Sequence, residues 1–136
     1  MNILFINGSP NKNGNTVALT EKNFKNYKTL HLVDYKIYSY GQEFPDDQFN
    51  EVVLIMSKAD TIIIGSPLYW HSMSGSIRNL LDRFYGTVDE NLLKNKDMYF
   101  VFQGYAPTPQ QLAAGEYTMK RFAKLYGMNY KGMITE

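Results

Sequence analysis

Three apolar runs, Ile3-Leu4-Phe5-Ile6, Thr61-Ile62-Ile63-Ile64 and Met98-Tyr99-Phe100-Val101-Phe102, pass without a charged or amide residue, and each empties into a loop that carries glycine. A strand with one wet face would alternate polar and apolar residues, so continuous runs of this kind need cover on both faces. The cover lies between them in sequence. Asn15-Thr16 can cap a helix whose inner stripe is Val17, Leu19, Phe24 and Tyr27, and residues 48–57 present Phe49, Val52, Val53 and Met56 on one side. Ser76 to Tyr85 does the same with Ile77, Leu80, Leu81 and Phe84, and Gln110 to Tyr126 with Leu112, Tyr117, Phe122 and Leu125. Leu30 and Leu32 mark a short second strand and Tyr130 to Thr135 a last one. Strand and helix alternate throughout, which predicts an α/β fold: a five-stranded parallel sheet with crossover helices on both faces, a three-layer αβα sandwich. The 136 residues, free of repeats, low-complexity tracts and linkers, read as one domain, 1–136.

Charge and cysteine content remove whole classes of function. A formal net charge of +1 offers no field for nucleic acid, and 44% hydrophobic with 20% charged residues is an ordinary globular balance. No cysteine is present, which excludes disulfides, thiolate nucleophiles, Cys-ligated zinc and Cys-held iron–sulfur clusters. Two histidines, His31 and His71, stand far apart and give no start to a metal site. The first apolar run is too short for a signal-peptide core or a membrane span, so the expected location is cytoplasmic and away from membranes.

In doubly wound sheets ligands sit beyond the carboxyl ends of the strands, which is where the three glycine loops fall. The first, Gly8 to Gly14, collects the hydroxyls of Ser9 and Thr16, the amides of Asn11, Asn13 and Asn15, and the N–H groups of the following helix. It matches neither G-x-x-x-x-G-K-[ST] nor G-x-G-x-x-G; by itself it has the chemistry of a phosphate nest, with a plain strand-to-helix turn as the alternative. The second, from Gly65 to Gly75, puts Tyr69 and the single tryptophan, Trp70, beside Pro67, where a flat aromatic ligand would explain them. The third is Gln103-Gly104-Tyr105-Ala106-Pro107.

Together, G-S-P-N-K-N-G-N-T and S-P-L-Y-W-H-S-M-S-G-S-I-R-N-L-L-D-R-F resemble the flavodoxin-like NAD(P)H-dependent FMN reductases and their iron–sulfur flavoprotein relatives, over essentially the whole chain. The resemblance implies strand order 2-1-3-4-5 with FMN at the carboxyl edge. It also implies hydride transfer from NADPH or NADH through FMN to a small acceptor such as a quinone, flavin or nitro compound, in a homodimer. A flavodoxin-type electron carrier and a flavin-binding module without turnover are the alternatives; the near-neutral charge disfavours the carrier, which usually presents an acidic surface.

Carried over by position, Ser9, Asn11, Asn15 and Thr16 hold the FMN phosphate, with Gly14 permitting the turn. Pro67, Leu68, Tyr69 and Trp70 line the isoalloxazine, and Gly104 and Tyr105 flank it from the other side. The flavin does the hard chemistry, so no acid–base dyad is required; His71 is the one candidate general acid, against a plain surface role. Arg78, Asp82 and Arg83 are expected to order their helix. Related chains often carry arginine where this one has Asn11, leaving Lys12 as a looser cation. The iron–sulfur branch carries a cysteine cluster where this chain has Tyr35 to Gly41, and the chain stops after its fifth strand, where a partner subunit is expected to cover the face near Tyr130 to Thr135.

Overall fold

The computed structural model describes residues 1–136. Its elements follow the chain as β1 (Ile3–Asn7), α1 (Asn15–Asn23), β2 (Lys28–His31), α2 (Phe49–Ser57), β3 (Thr61–Tyr69), β4 (Ser72–Met73), α3 (Gly75–Phe84), β5 (Asp97–Gln103), α4 (Pro109–Leu125) and β6 (Asn129–Ile134). Five strands pair in parallel in the order β2-β1-β3-β5-β6, the flavodoxin-like order, and β4 is a two-residue antiparallel addition to β3.

The apolar runs are buried on both sides, as their composition requires. Leu4, Ile6, Ile62, Ile64, Phe100 and Phe102 face a large cluster with Phe49, Val52, Met56, Ile77, Leu80, Phe84 and Met119 from α2, α3 and α4. The intervening Phe5, Ile63 and Val101 face Leu19 of α1 in a smaller one. That period-2 division puts successive residues of one strand into two different cores.

Three expectations are corrected. The second strand is Lys28–His31, and Leu32 lies in the 3-10 turn that follows it. β3 does not stop at Ile64: it runs through Gly65, Ser66 and Pro67 to Tyr69, because β5 continues beside it with Ser66 opposite Phe102 and Pro67 opposite Gln103. β1 ends opposite Gly65, whose carbonyl accepts from Gly8 N–H at 2.8 Å. By strand alternation Pro67 therefore turns its nitrogen to the side that β1 has vacated, where a missing donor costs no ladder bond.

In α4, Tyr117 and Leu125 are 67% and 53% exposed, and the buried stripe is Gly115, Met119, Phe122 and Ala123. A Cβ on Gly115 would lie 2.4 Å from Phe102 Cε2, so the helix phase follows its smallest residue rather than its aromatic ones. Along β6, Met133 and Tyr130 pack against the larger cluster and Ile134 against the smaller one while staying partly exposed, and Tyr130 Oη donates to Glu116 at 2.8 Å.

Candidate functional site

The carboxyl ends of β1, β3 and β5 surround an open cleft of about 280 Å³, lined by Ser9, Asn11, Asn15, Thr16, Pro67, Leu68, Tyr69, Gln103, Gly104 and Tyr105. Three loops, at residues 9–16, 67–69 and 103–105 and so far apart in sequence, thus meet at one edge of the sheet. A cleft of about 330 Å³ lined by Met1, Ile3, Lys28 and Lys58 opens at the opposite edge, at the amino ends of β1 and β2, where doubly wound sheets do not bind ligands.

The first loop is shaped from below by Asn7, the fully buried last residue of β1. Its Oδ1 accepts from Ser9 N–H at 3.0 Å, and its Nδ2 donates to Asn11 O at 3.2 Å and pairs with His31 Nδ1 at 3.0 Å. Asn11 N–H donates to Ser9 Oγ at 3.1 Å, which uses that hydroxyl as an acceptor and leaves its proton to give. α1 begins after Gly14, which has no side chain to cap it, and its first turn carries no carboxylate. The N–H groups of its first turn lack intrahelical acceptors and point their positive dipole end at the loop. Close packing brings the loop to α3: Gly8 O accepts the hydroxyls of both Ser74 and Ser76 at 2.8 Å, and Ser74 N–H donates to Ser66 Oγ at 2.8 Å.

The second wall is a hairpin. Leu68 pairs with Met73 and Tyr69 with Ser72, joined by Trp70 and His71 with φ of 48° and 68°. Two left-handed residues in a two-residue hairpin loop define a type I′ turn, where Asn-Gly is the usual choice and a bulky pair is strained. Trp70 is 93% exposed at the tip, and His71 Nδ1 contacts Gln111 Nε2 at the start of α4. On the third wall, Tyr105 is 99% exposed, and Gly104 lies so close to the hairpin that a Cβ would stand 2.7 Å from Leu68 Cβ.

Sequence-predicted residues therefore divide. Ser9, Asn11, Asn15, Thr16, Pro67, Leu68, Tyr69, Gly104 and Tyr105 line one cleft, whereas Gly14, Trp70 and His71 stand outside its lining. Lys12 turns away, its Nζ 2.8 Å from Asp34 Oδ1. Asn7, Ser66, Ser74, Ser76 and Gln103 were not picked out. The signal for Asn7 was a single amide closing an apolar strand, and for Ser74 a serine three residues before Ile77, whose N–H it caps.

Arg83 orders its surroundings rather than the cleft. It forms a two-point pair with Asp47, Nη1–Oδ1 and Nη2–Oδ2 both at 2.8 Å, donates to Tyr38 O at 2.8 Å and lies over the Phe49 ring. Hydrogen bonds from the guanidinium hold the Asp47 carboxyl down at about 2, and those from Tyr38 and Phe49 N–H help. No helix is long and apolar enough to cross a membrane.

A family model described as NADPH-dependent FMN reductase matches residues 1–132. The chain is 37% identical over 98 residues to an iron-sulfur flavoprotein of Archaeoglobus fulgidus, covering 61% of this chain and 48% of the relative, so it spans about half the length of that protein. It is 24% identical over 158 residues to the putative NAD(P)H-dependent FMN-containing oxidoreductase YwqN of Bacillus subtilis, covering 98% of this chain and 83% of the relative. Among solved structures, the Trp repressor binding protein from Bacillus subtilis superposes with a TM-score of 0.79 at 21% identity, over 98% of this chain and 84% of that one. An FMN-dependent NADH-azoreductase from Bacillus anthracis, in complex with FMN, gives 0.70 at 15% identity, over 99% and 86%. At those identities the two structures share the fold.

Proposed function

From the premise that this chain belongs to the NADPH-dependent FMN reductase family, we propose that the cleft holds FMN and that the protein passes reducing equivalents from NADPH or NADH to a small acceptor such as a quinone, flavin or nitro compound. The observation that carries this reading is the convergence on one cleft of a donor-rich first loop and two aromatic loops. FMN, when bound, supplies the hydride chemistry that no pair of side chains here could supply.

The chain's own part is binding and orientation. Ser9 Oγ–H, the Thr16 hydroxyl, the Asn11 and Asn15 amides and the first-turn N–H groups of α1 would hold the phosphate as neutral donors. Pro67, Leu68 and Tyr69 would bear on the ring from the hairpin and Gly104 and Tyr105 from the opposite loop, with Trp70 at the rim. Gly14 keeps the turn before α1 narrow: a Cβ there would come 3.0 Å from Asn11 Cβ. The cleft is slightly smaller than the roughly 300–1,000 Å³ usual for ligand pockets, so part of a flat ring would stay open at the mouth, and Tyr69, Trp70 and Tyr105 would frame the face where nicotinamide and acceptor come in turn. His71 is not needed for a proton transfer in this scheme. A homodimer and a cytoplasmic location complete the proposal, and light scattering of the purified protein tests the first of these.

The test is anaerobic. Protein saturated with FMN is mixed with NADPH, then NADH, while the blue flavin absorbance is followed. Fast bleaching by either nucleotide is expected, and bound flavin that stays oxidised would refute turnover and return the protein to a carrier or binding module.

A further inference from the structure

The residues lining the cleft include no lysine, arginine, histidine, aspartate or glutamate. Within Gly8 to Gly14 the single charged residue is Lys12. Its ammonium is not free: Asp34, at the end of the 3-10 turn after β2, holds it at 2.8 Å, with both side chains about half exposed. A cation one residue from Asn11, on the loop that would cradle a phosphate dianion, is thereby neutralised by a carboxylate from a different element.

We propose that Asp34 sets flavin affinity and selectivity by keeping Lys12 off the phosphate end of the cleft. The inference rests on the reading of that cleft as a flavin site. With Lys12 engaged, the phosphate is held by hydroxyl, amide and backbone N–H donors alone, without the added attraction of a side-chain cation. Its preference for FMN over riboflavin is therefore the margin that neutral donors and a helix N-terminus give, smaller than a cation on the phosphate would make it. The pair lies at the surface, so its removal need not disturb the core.

Dissociation constants for FMN and for riboflavin, read from quenching of flavin fluorescence at several salt concentrations, test this without any turnover. In Asp34→Asn the freed ammonium should tighten FMN by ~3–10-fold and leave riboflavin unchanged, the size expected of one screened charge-assisted contact. The gain should vanish at high salt and in the double variant with Lys12→Met. Lys12→Met alone, at an exposed loop position that cannot threaten folding, should leave the ratio of the two constants within about twofold of the wild type. Two results would overturn the proposal: an unchanged or lowered FMN preference in Asp34→Asn, or a marked loss of FMN preference in Lys12→Met. If the wild type binds neither flavin, the reading of the cleft itself fails, and this inference with it.

Discussion

Replacing Gly8 by alanine should damage the site and the fold together. The added Cβ would stand 2.2 Å from Ile77 Cγ1, 2.6 Å from Ile77 Cδ1 and 2.8 Å from Gly65 O. Ile77 is fully buried, so its side chain cannot swing into solvent and must displace core neighbours, at a cost of about 1–3 kcal/mol. Gly65 O is backbone in the central strand, and retreat from it stretches the Gly8 N–H bond and loosens Gly8 O from the hydroxyls of Ser74 and Ser76. Each weakened bond is worth about 1 kcal/mol. A loss of roughly 3 kcal/mol follows, enough to lower the urea midpoint by about 1–2 M at the m-value of a small domain while leaving the protein folded. Gly75→Ala is the matched control, because a Cβ there meets nothing within 4 Å and sits in the first turn of α3, where alanine is neutral or helpful. Urea unfolding of both variants decides the matter. If Gly8→Ala is within about 1 kcal/mol of Gly75→Ala, the close contact between the first loop and α3 is not the constraint described here.

Three further outcomes are expected. Ser9→Ala with Thr16→Ala should weaken FMN at least ~10-fold, each lost donor being worth about 1 kcal/mol or more, with the melting temperature little changed; unaltered affinity by fluorescence titration would remove the phosphate from this loop. Asp47 has a folded pKa of about 2 against an ordinary 3.8, so its stabilisation is complete above about pH 4 and is lost as the pH falls toward 2. Asp47→Asn should accordingly cost up to about 2 kcal/mol near pH 7 and progressively less below pH 4, and a constant difference in unfolding free energy across that range would contradict the assignment. His71→Gly should stabilise the protein by up to ~1 kcal/mol by relieving a left-handed position, whereas Trp70→Ala should shift the bound-flavin spectrum; thermal melts and absorbance check each.

How far the residues speak for themselves depends on whether the deciding partner is local. Ile3–Ile6 and Thr61–Ile64 read as doubly covered strands because the pattern needs nothing but themselves, and their glycine exits pointed to the cleft edge. β3 continues through Gly65-Ser66-Pro67 only because β5, more than thirty residues on, is long enough to pair with it, and turn chemistry alone says the opposite. The phase of α4 is set by Gly115 seated on Phe102, a contact that hydrophobicity counts hide by favouring Tyr117. In the site, Ser9, Asn11 and Thr16 announce themselves as donors, but Asn7 is known as the organiser only when its three partners are in view. Lys12 looked like a spare cation until Asp34 was found against it.

The hairpin from Leu68 to Met73 is rooted in the larger buried cluster by Met73 and Leu68, but its tip, Trp70 and His71, belongs to neither cluster and reaches α4 by one side-chain contact. Such a finger can be rewritten residue by residue without renegotiating the fold. Its two left-handed positions hold free energy that glycine would return, so a redesign that moves the aromatic ring elsewhere starts with stability in hand. If the cleft is the flavin site proposed above, diversification toward new acceptors, whether by natural drift or in a library, has its easiest path through residues 69–72.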